Sequence, residues 1–261
     1  LVLEARCCDL MFVHVGMDFN PPQCLIDRNI DGILFHGRVP LDFWNCYMAA
    51  IPCIAVSQFC PELNCSCVRS DPQMRAWLAL SHLKQLGHTR IGFIANEIEE
   101  YLPKERYNAF LNMLDFMNLP HRSEWDAVWQ RPRINGELLK EKSISDYIPY
   151  LKPVMILPDA PTAFVCLDSW RAKCAQSALE KLGYSVPQDI SLVGARMLKN
   201  TFSTYGRFYT SVIDHSELIC RQAVRLLLDQ MSSLDSLPVM NLLIAPEMEL
   251  GSSTAFCRNK Q

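Results

Sequence analysis

Thiols and imidazoles are the side chains best suited to metal or covalent chemistry, and this 261-residue chain carries twelve cysteines and six histidines. Their spacing restricts what they can do. Cys60-Pro-Glu-Leu-Asn-Cys65-Ser-Cys67 brings three thiols together, but no second C-x₂-C and no histidine pair follows to complete a four-ligand site. A loop with incidental thiols is the expected reading, with no metal. Most other cysteines fall inside apolar runs, where a thiol behaves as a small buried hydrophobe; taken as reduced, they point to the cytoplasm. His82 and His88 lie six residues apart and are expected to be structural. The chain contains no G-x-S-x-G, H-E-x-x-H, P-loop or G-x-G-x-x-G signature, so it is not expected to be an enzyme and no cofactor is called for.

What remains is non-covalent binding by polar side chains at the ends of elements. Asp71 and Asp168 stand immediately before helical patterns and are N-cap candidates. Trp170, in the first turn after Asp168, offers a flat face for stacking or a large side chain for the core. His36 closes a short apolar run.

The elements that must position these residues follow from periodicity. Ala76, Ala79, Leu80, Leu83 and Leu86 repeat at helical spacing behind Asp71-Pro72, and Gly87 stops the pattern. Ile91-Gly92-Phe93-Ile94-Ala95 then reads as a buried parallel strand. Strands are also expected at 10–15, 33–36 and 51–56. Helices are expected at 40–50, from about 104, at 137–150, 168–182 and 215–231. Residues 121–136 show no clear period. Alternating strands and helices argue for doubly wound, mostly parallel sheets.

Composition agrees with a globular protein: 49% hydrophobic, 20% charged and a net charge of −3. That charge leaves no basic footprint for gripping nucleic acid unaided. No apolar run approaches the 18 residues of a membrane span. Glu4, Arg6 and Asp9 interrupt the start, which does not read as a secretion signal.

Two segments are more specific. His82 to Ile94, H-L-x-x-L-G-H-x-R-I-G-F-I, and Gly183 to Gly194, G-x-x-V-P-x-D-I-S-x-x-G, resemble signature segments of the LacI/GalR family of bacterial transcriptional regulators. Asp31-Gly32-Ile33-Leu34, Arg106-Tyr-Asn-Ala-Phe110, Pro161-Thr162-Ala163 and Gly251-Ser252-Ser253-Thr254 follow in the family's order. The resemblance implies a two-lobed periplasmic-binding-protein-like fold, with an N-terminal lobe of 1–96 plus 212–236 and a C-terminal lobe of 97–211 plus 237–261. It also implies a homodimer, a sugar or sugar derivative held in the inter-lobe cleft, and operator DNA bound through a helix-turn-helix module upstream of this chain. The family's first strand and most of its first helix have no counterpart here, so the natural protein is expected to continue upstream. A solute-binding protein of a sugar transporter would share the fold and is the alternative.

By the same resemblance Arg106 is the cleft arginine. Asp168 stands where the family has its N-D pair, and Asp214 ends the crossing strand at a position that often meets effector. His36 and Asp71 end or cap elements of the first lobe. Departures are informative. Arg196 replaces the aspartate of G-F-D-D, Leu167 the asparagine of N-D, and Pro72 the asparagine of D-N. Arg106 with Arg196 would favour an anionic sugar derivative, unless Asp168 and Asp214 neutralise them.

Overall fold

Asp71 shows how local chemistry sets the architecture. Its side chain accepts hydrogen bonds from the amides of Gln73 (2.8 Å) and Met74 (3.0 Å), and Pro72 occupies the first helical position. Such a cap is worth about 1 kcal/mol. At this residue the chain leaves one unit for another. In the computed structural model, which describes residues 8–16, 18–130, 133–134, 137–138, 147–196, 209–233 and 238–258, Leu1–Ser70 with His215–Ile244 form one unit and Asp71–Asp214 with Ala245–Gln261 the other.

In chain order the elements are α1 (Gln23–Ile26), β1 (Ile33–Phe35), α2 (Leu41–Phe43, continued by a wider π turn to Met48), β2 (Cys53–Val56), β3 (Ser66–Ser70), α3 (Pro72–Gln85), β4 (Ile91–Asn96), α4 (Tyr101–Phe116), β5 (Ala127–Trp129), β6 (Arg133–Ile134) and β7 (Glu137–Leu138). There follow α5 (Ile148–Met155), β8 (Ala163–Cys166), α6 (Ser169–Lys181), β9 (Ser191–Arg196), β10 (Thr210–Ile213), α7 (Ser216–Ser232), β11 (Asn241–Ile244) and β12 (Glu247–Glu249).

The first unit holds a four-stranded sheet in the order β1-β2-β3-β11, parallel throughout. Successive residues of β2 face opposite sides, as a pleated strand requires. Cys53 packs with Leu25, Phe43, Trp44 and Met48, and Ile54 packs with Ile219, Ala223, Leu226 and Leu227 of α7.

The second unit is built on a six-stranded sheet, β12-β10-β9-β8-β4-β5, parallel apart from β12 at one edge. Phe93, Val165 and Val193 face the side covered by α3 and α4, whereas Ile94, Phe164 and Leu192 face α5 and α6. Gly92 is required by close approach: a Cβ there would stand 2.1 Å from the carbonyl oxygen of Trp125.

Several expectations are corrected. Residues 71–96 belong to the second unit, because β4 lies between β8 and β5 in its sheet and α3 covers that sheet's face. Residues 241–244 join the first unit, where β11 extends β3 in parallel. The crossing after β10 falls between Asp214 and His215. Residues 10–15 form no strand; among the described residues β1 pairs only with β2, and Phe12 is 89% exposed. The helix expected from 137 gives way to β7 at Glu137–Leu138 and a helix starting at Ile148, residues 139–146 lying outside those described. The stretch 121–136, expected to be irregular, contributes β5 as an edge strand.

Candidate functional site

In an open parallel sheet the strand carboxyl ends carry the ligand-facing residues, because the loops that leave them diverge. In the second unit these ends present Asn96 (β4), Asp168 (after β8), Arg196 (β9) and Asp214 (after β10). Between α3, α4 and the sheet lies a small cavity of about 20 Å³ that opens to solvent. Ala76, Ala79, Phe93, Phe110, Val165 and Val212 are among its apolar lining, and Arg75 and Arg106 are its charged residues.

Asp214 organises these two cations. Its backbone N–H donates to the carbonyl of Arg196 (2.8 Å), which fixes it at the end of β10. Its Oδ2 pairs with Nη2 of Arg75 and lies 3.6 Å from Nη2 of Arg106. Arg106 also donates from Nη1 to the Leu167 carbonyl at 3.3 Å. All three side chains are nearly enclosed: 7% exposed for Asp214, 10% for Arg75 and 18% for Arg106. Burial pushes the Arg106 pKa down to about 9 and repulsion from Arg75 adds to it, with Asp214 and Asp168 only partly opposing. Nη1 of Arg75 and Oδ1 of Asp214 are buried without a hydrogen-bond partner. Buried polar groups are nearly always satisfied, so these orphans, with Nε and Nη2 of Arg196, mark the carboxyl end of the sheet.

The remaining candidates are placed as follows. Asp168 caps α6, accepting from the Arg171 amide (2.8 Å) and pairing with Nη1 of Arg171 (2.6 Å). Arg171 in turn donates to Oδ1 of Asn96. Arg196, expected opposite Arg106 with Asp168 or Asp214 as partner, pairs instead with Glu249 of β12 at 2.6 Å and lies outside the cavity lining. Trp170 is 42% exposed beside Lys173, whose Nζ stands 5.7 Å from its ring centre. Asp71 is the α3 cap described above. In the first unit His36 donates from Nδ1 to the Val56 carbonyl at 2.9 Å, a contact that accounts for it locally. The structure thus brings the side chains of Arg106 and Asp214 together, while that of Arg196 pairs with Glu249.

Arg75 was missed by sequence reasoning. Its signal was a cation on the stripe Pro72, Arg75, Ala79, at i, i+3 and i+7 of an otherwise apolar helix face. The cysteine loop shows the opposite behaviour. Burial pushes the thiols of Cys53 and Cys65 up to about 12 and that of Cys60 to about 11, the reverse of an activated thiolate. Among the described residues no group of three His, Cys, Asp or Glu side chains is arranged to hold a metal ion, and no helix is long and apolar enough to cross a membrane.

Residues 80–254 match the periplasmic binding protein-like domain family. The chain belongs to that family. The chain is similar to LacI/GalR-type regulators: it is 30% identical over 179 residues to the HTH-type transcriptional repressor PurR of Actinobacillus pleuropneumoniae serotype 3 (strain JL03), across 67% of this chain and 49% of the repressor. The chain therefore spans about half the length of the curated relatives it matches. A LacI family transcriptional regulator from Mycobacterium smegmatis superposes with a TM-score of 0.75 at 21% identity, covering 98% of this chain and 91% of that one. Another from Enterococcus faecium, with bound ribose, gives 0.67 at 21% identity over 90% and 83% of the two chains. At such identities the structural likeness establishes the fold.

Proposed function

We propose that this chain is the ligand-sensing and dimerisation part of a LacI-type DNA-binding transcriptional regulator, and that its ligand is a small carbohydrate or derivative. The observation that carries this reading is the Arg75–Asp214–Arg106 cluster in a solvent-open cavity at the strand carboxyl ends, in a chain whose reported relative is a repressor. A cavity with apolar walls and a few convergent polar groups is the ordinary form of a small-molecule site. Arg106 and Asp214 are the binding residues in this reading. Asp168 acts through Arg171, Arg196 shapes the rim through Glu249, and Trp170, Asp71 and His36 are supporting candidates.

Binding rather than catalysis is the activity proposed, with no cofactor. The partners would be a second copy of the chain and operator DNA, the latter through a separate helix-turn-helix module, and the setting would be the cytoplasm. Kinship to a repressor favours this reading over a transporter's solute-binding protein. Energetically, the ligand acts through its differential affinity for two arrangements of the regulator. A thermal-shift screen of neutral and charged sugars tests the reading, and ligand-dependent stabilisation is expected. A panel that never raises the melting temperature would refute it. Sedimentation at tens of micromolar, roughly where modest interfaces associate, is expected to show a two-fold dimer, and a monomer only would remove the dimerisation role.

A further inference from the structure

Resting on the reading of this cavity as the ligand site, the charge count around it specifies the ligand further. Two guanidiniums, Arg75 and Arg106, line the cavity, and one carboxylate oxygen, Oδ2 of Asp214, serves both. Of the other carboxylates, Asp168 pairs with Arg171 and caps α6, and Glu249 pairs with Arg196; Asp168 and Glu105 act on Arg106 through space. Among the described residues, Arg75 and Arg106 with Asp214 leave one positive charge that Asp168 and Glu105 offset only in part, in a cavity whose other walls are largely alanine, valine and phenylalanine. An enclosed charge without a counter-charge is costly, and either a protein group or a ligand has to meet it. Nη1 of Arg75, buried and without a hydrogen-bond partner, is a donor already in place for that counter-charge.

The chemistry available is also one-sided. A neutral polyol needs acceptors as well as donors from its site. Here the one unsatisfied side-chain acceptor of the cluster is Oδ1 of Asp214, whereas two forks supply donors. A guanidinium fork matches the two oxygens of a carboxylate or phosphate, and charge-assisted bonds of this kind are about twice as strong as neutral ones.

We propose that the ligand carries an anionic group, a carboxylate or a phosphate, held between Arg75 and Arg106, and that Arg75 is the residue that sets this preference. Asp214 orients Arg75 and supplies half of the neutralisation; the ligand supplies the rest. The depressed pKa of Arg106 agrees with this, since a bound anion would restore it.

Calorimetric titration with matched pairs tests the proposal: ribose against ribose 5-phosphate, glucose against glucose 6-phosphate, and glucose against gluconate, with inorganic phosphate alone as a further arm. At least one charged member is expected to bind at least about tenfold more tightly than its neutral partner, an advantage that shrinks as salt rises. The phosphate and acid arms then identify which anion is recognised. In Arg75→Met the advantage is expected to fall to about twofold or less, the charged member losing far more affinity than the neutral one, and Arg75→Lys should lie between, keeping charge without the fork. Asp214→Asn, which leaves both cations unneutralised, should widen the gap; this second variant keeps the test alive if Arg75→Met does not fold. Neutral members binding as tightly as charged ones in the unaltered chain would overturn the anion proposal, while their loss in Arg106→Gln would keep the cavity as the ligand site. If no member of any pair binds, the site reading itself fails and takes this inference with it.

Discussion

The two ends of the second unit's sheet treat polar groups in opposite ways. At the amino ends His88 is buried with Nδ1 at 2.8 Å from Thr162 Oγ1 and Nε2 at 3.0 Å from both Ser191 Oγ and the Ala255 carbonyl. Ser253 Oγ donates to the Leu192 carbonyl (2.6 Å) and accepts from the Thr210 amide (2.9 Å). His82 and Thr210 both meet Thr254 at 2.9 Å. These groups are neutral and mutually satisfied, and they fasten the closing segment to β8, β9 and β10. At the carboxyl ends the groups are charged, crowded and incompletely paired. A satisfied neutral network specifies structure, whereas buried charges left short of partners mark a place built for something else.

The largest effect that sharpens this contrast is at Asp214. Asp214→Ala leaves two enclosed guanidiniums without a carboxylate and is expected to cost about 3–5 kcal/mol in denaturant unfolding. A loss below about 1 kcal/mol would show that water already screens the cluster.

His88→Ala comes next, at roughly 2–3 kcal/mol, for loss of a buried group and its hydrogen bonds. Ligand affinity should not move; a binding defect would erase the distinction between the two ends. The same residue gives a pH signature. Burial holds the imidazoles of His88 and His82 below their ordinary 6.5, so the unfolded chain takes up protons more readily than the folded one. Their contribution is present above pH 6.5 and is lost as pH falls through the folded values. Unfolding curves from pH 7.5 to 5.5 should show this decline, and it should be shallower in His88→Gln. An unchanged slope would mean that folding does not depress the His88 pKa.

The smallest effect is at the α6 cap. Asp168→Ala is expected to cost about 1 kcal/mol and to weaken binding only slightly, through release of Arg171. A loss of affinity as large as that of a direct contact would promote Asp168 to a ligand-touching residue.

Much of this was legible in the chain. The α3–β4 segment announces itself through Asp71-Pro72, a helical apolar repeat and Gly87, all of which are local signals. Arg106 and Asp214 were reached through motif order. What was not legible depends on distant partners. Glu249, which takes Arg196, comes from an antiparallel edge strand 53 positions away in sequence, and no local pattern reveals that pairing. Ser66–Ser70 hides as a strand because Arg69 and two serines break its apolar run, and Ala127–Trp129 is too short to show a period. Residues 10–15 have strand composition, yet strands form only against a neighbour. The unit boundary was misplaced because strand type can be read from sequence while sheet membership cannot.

The most direct test of the carboxyl-end cavity as a ligand site is a paired measurement on Arg106→Gln, of affinity for the best ligand of the unaltered chain and of stability. Removing a depressed-pKa cation that repels Arg75 should leave stability within about 1 kcal/mol of the parent, or raise it. Affinity should fall at least about tenfold, the loss of one charge-assisted contact. Unchanged affinity, with stability lost instead, would show that Arg106 is a structural residue like His88 and that the ligand site lies elsewhere.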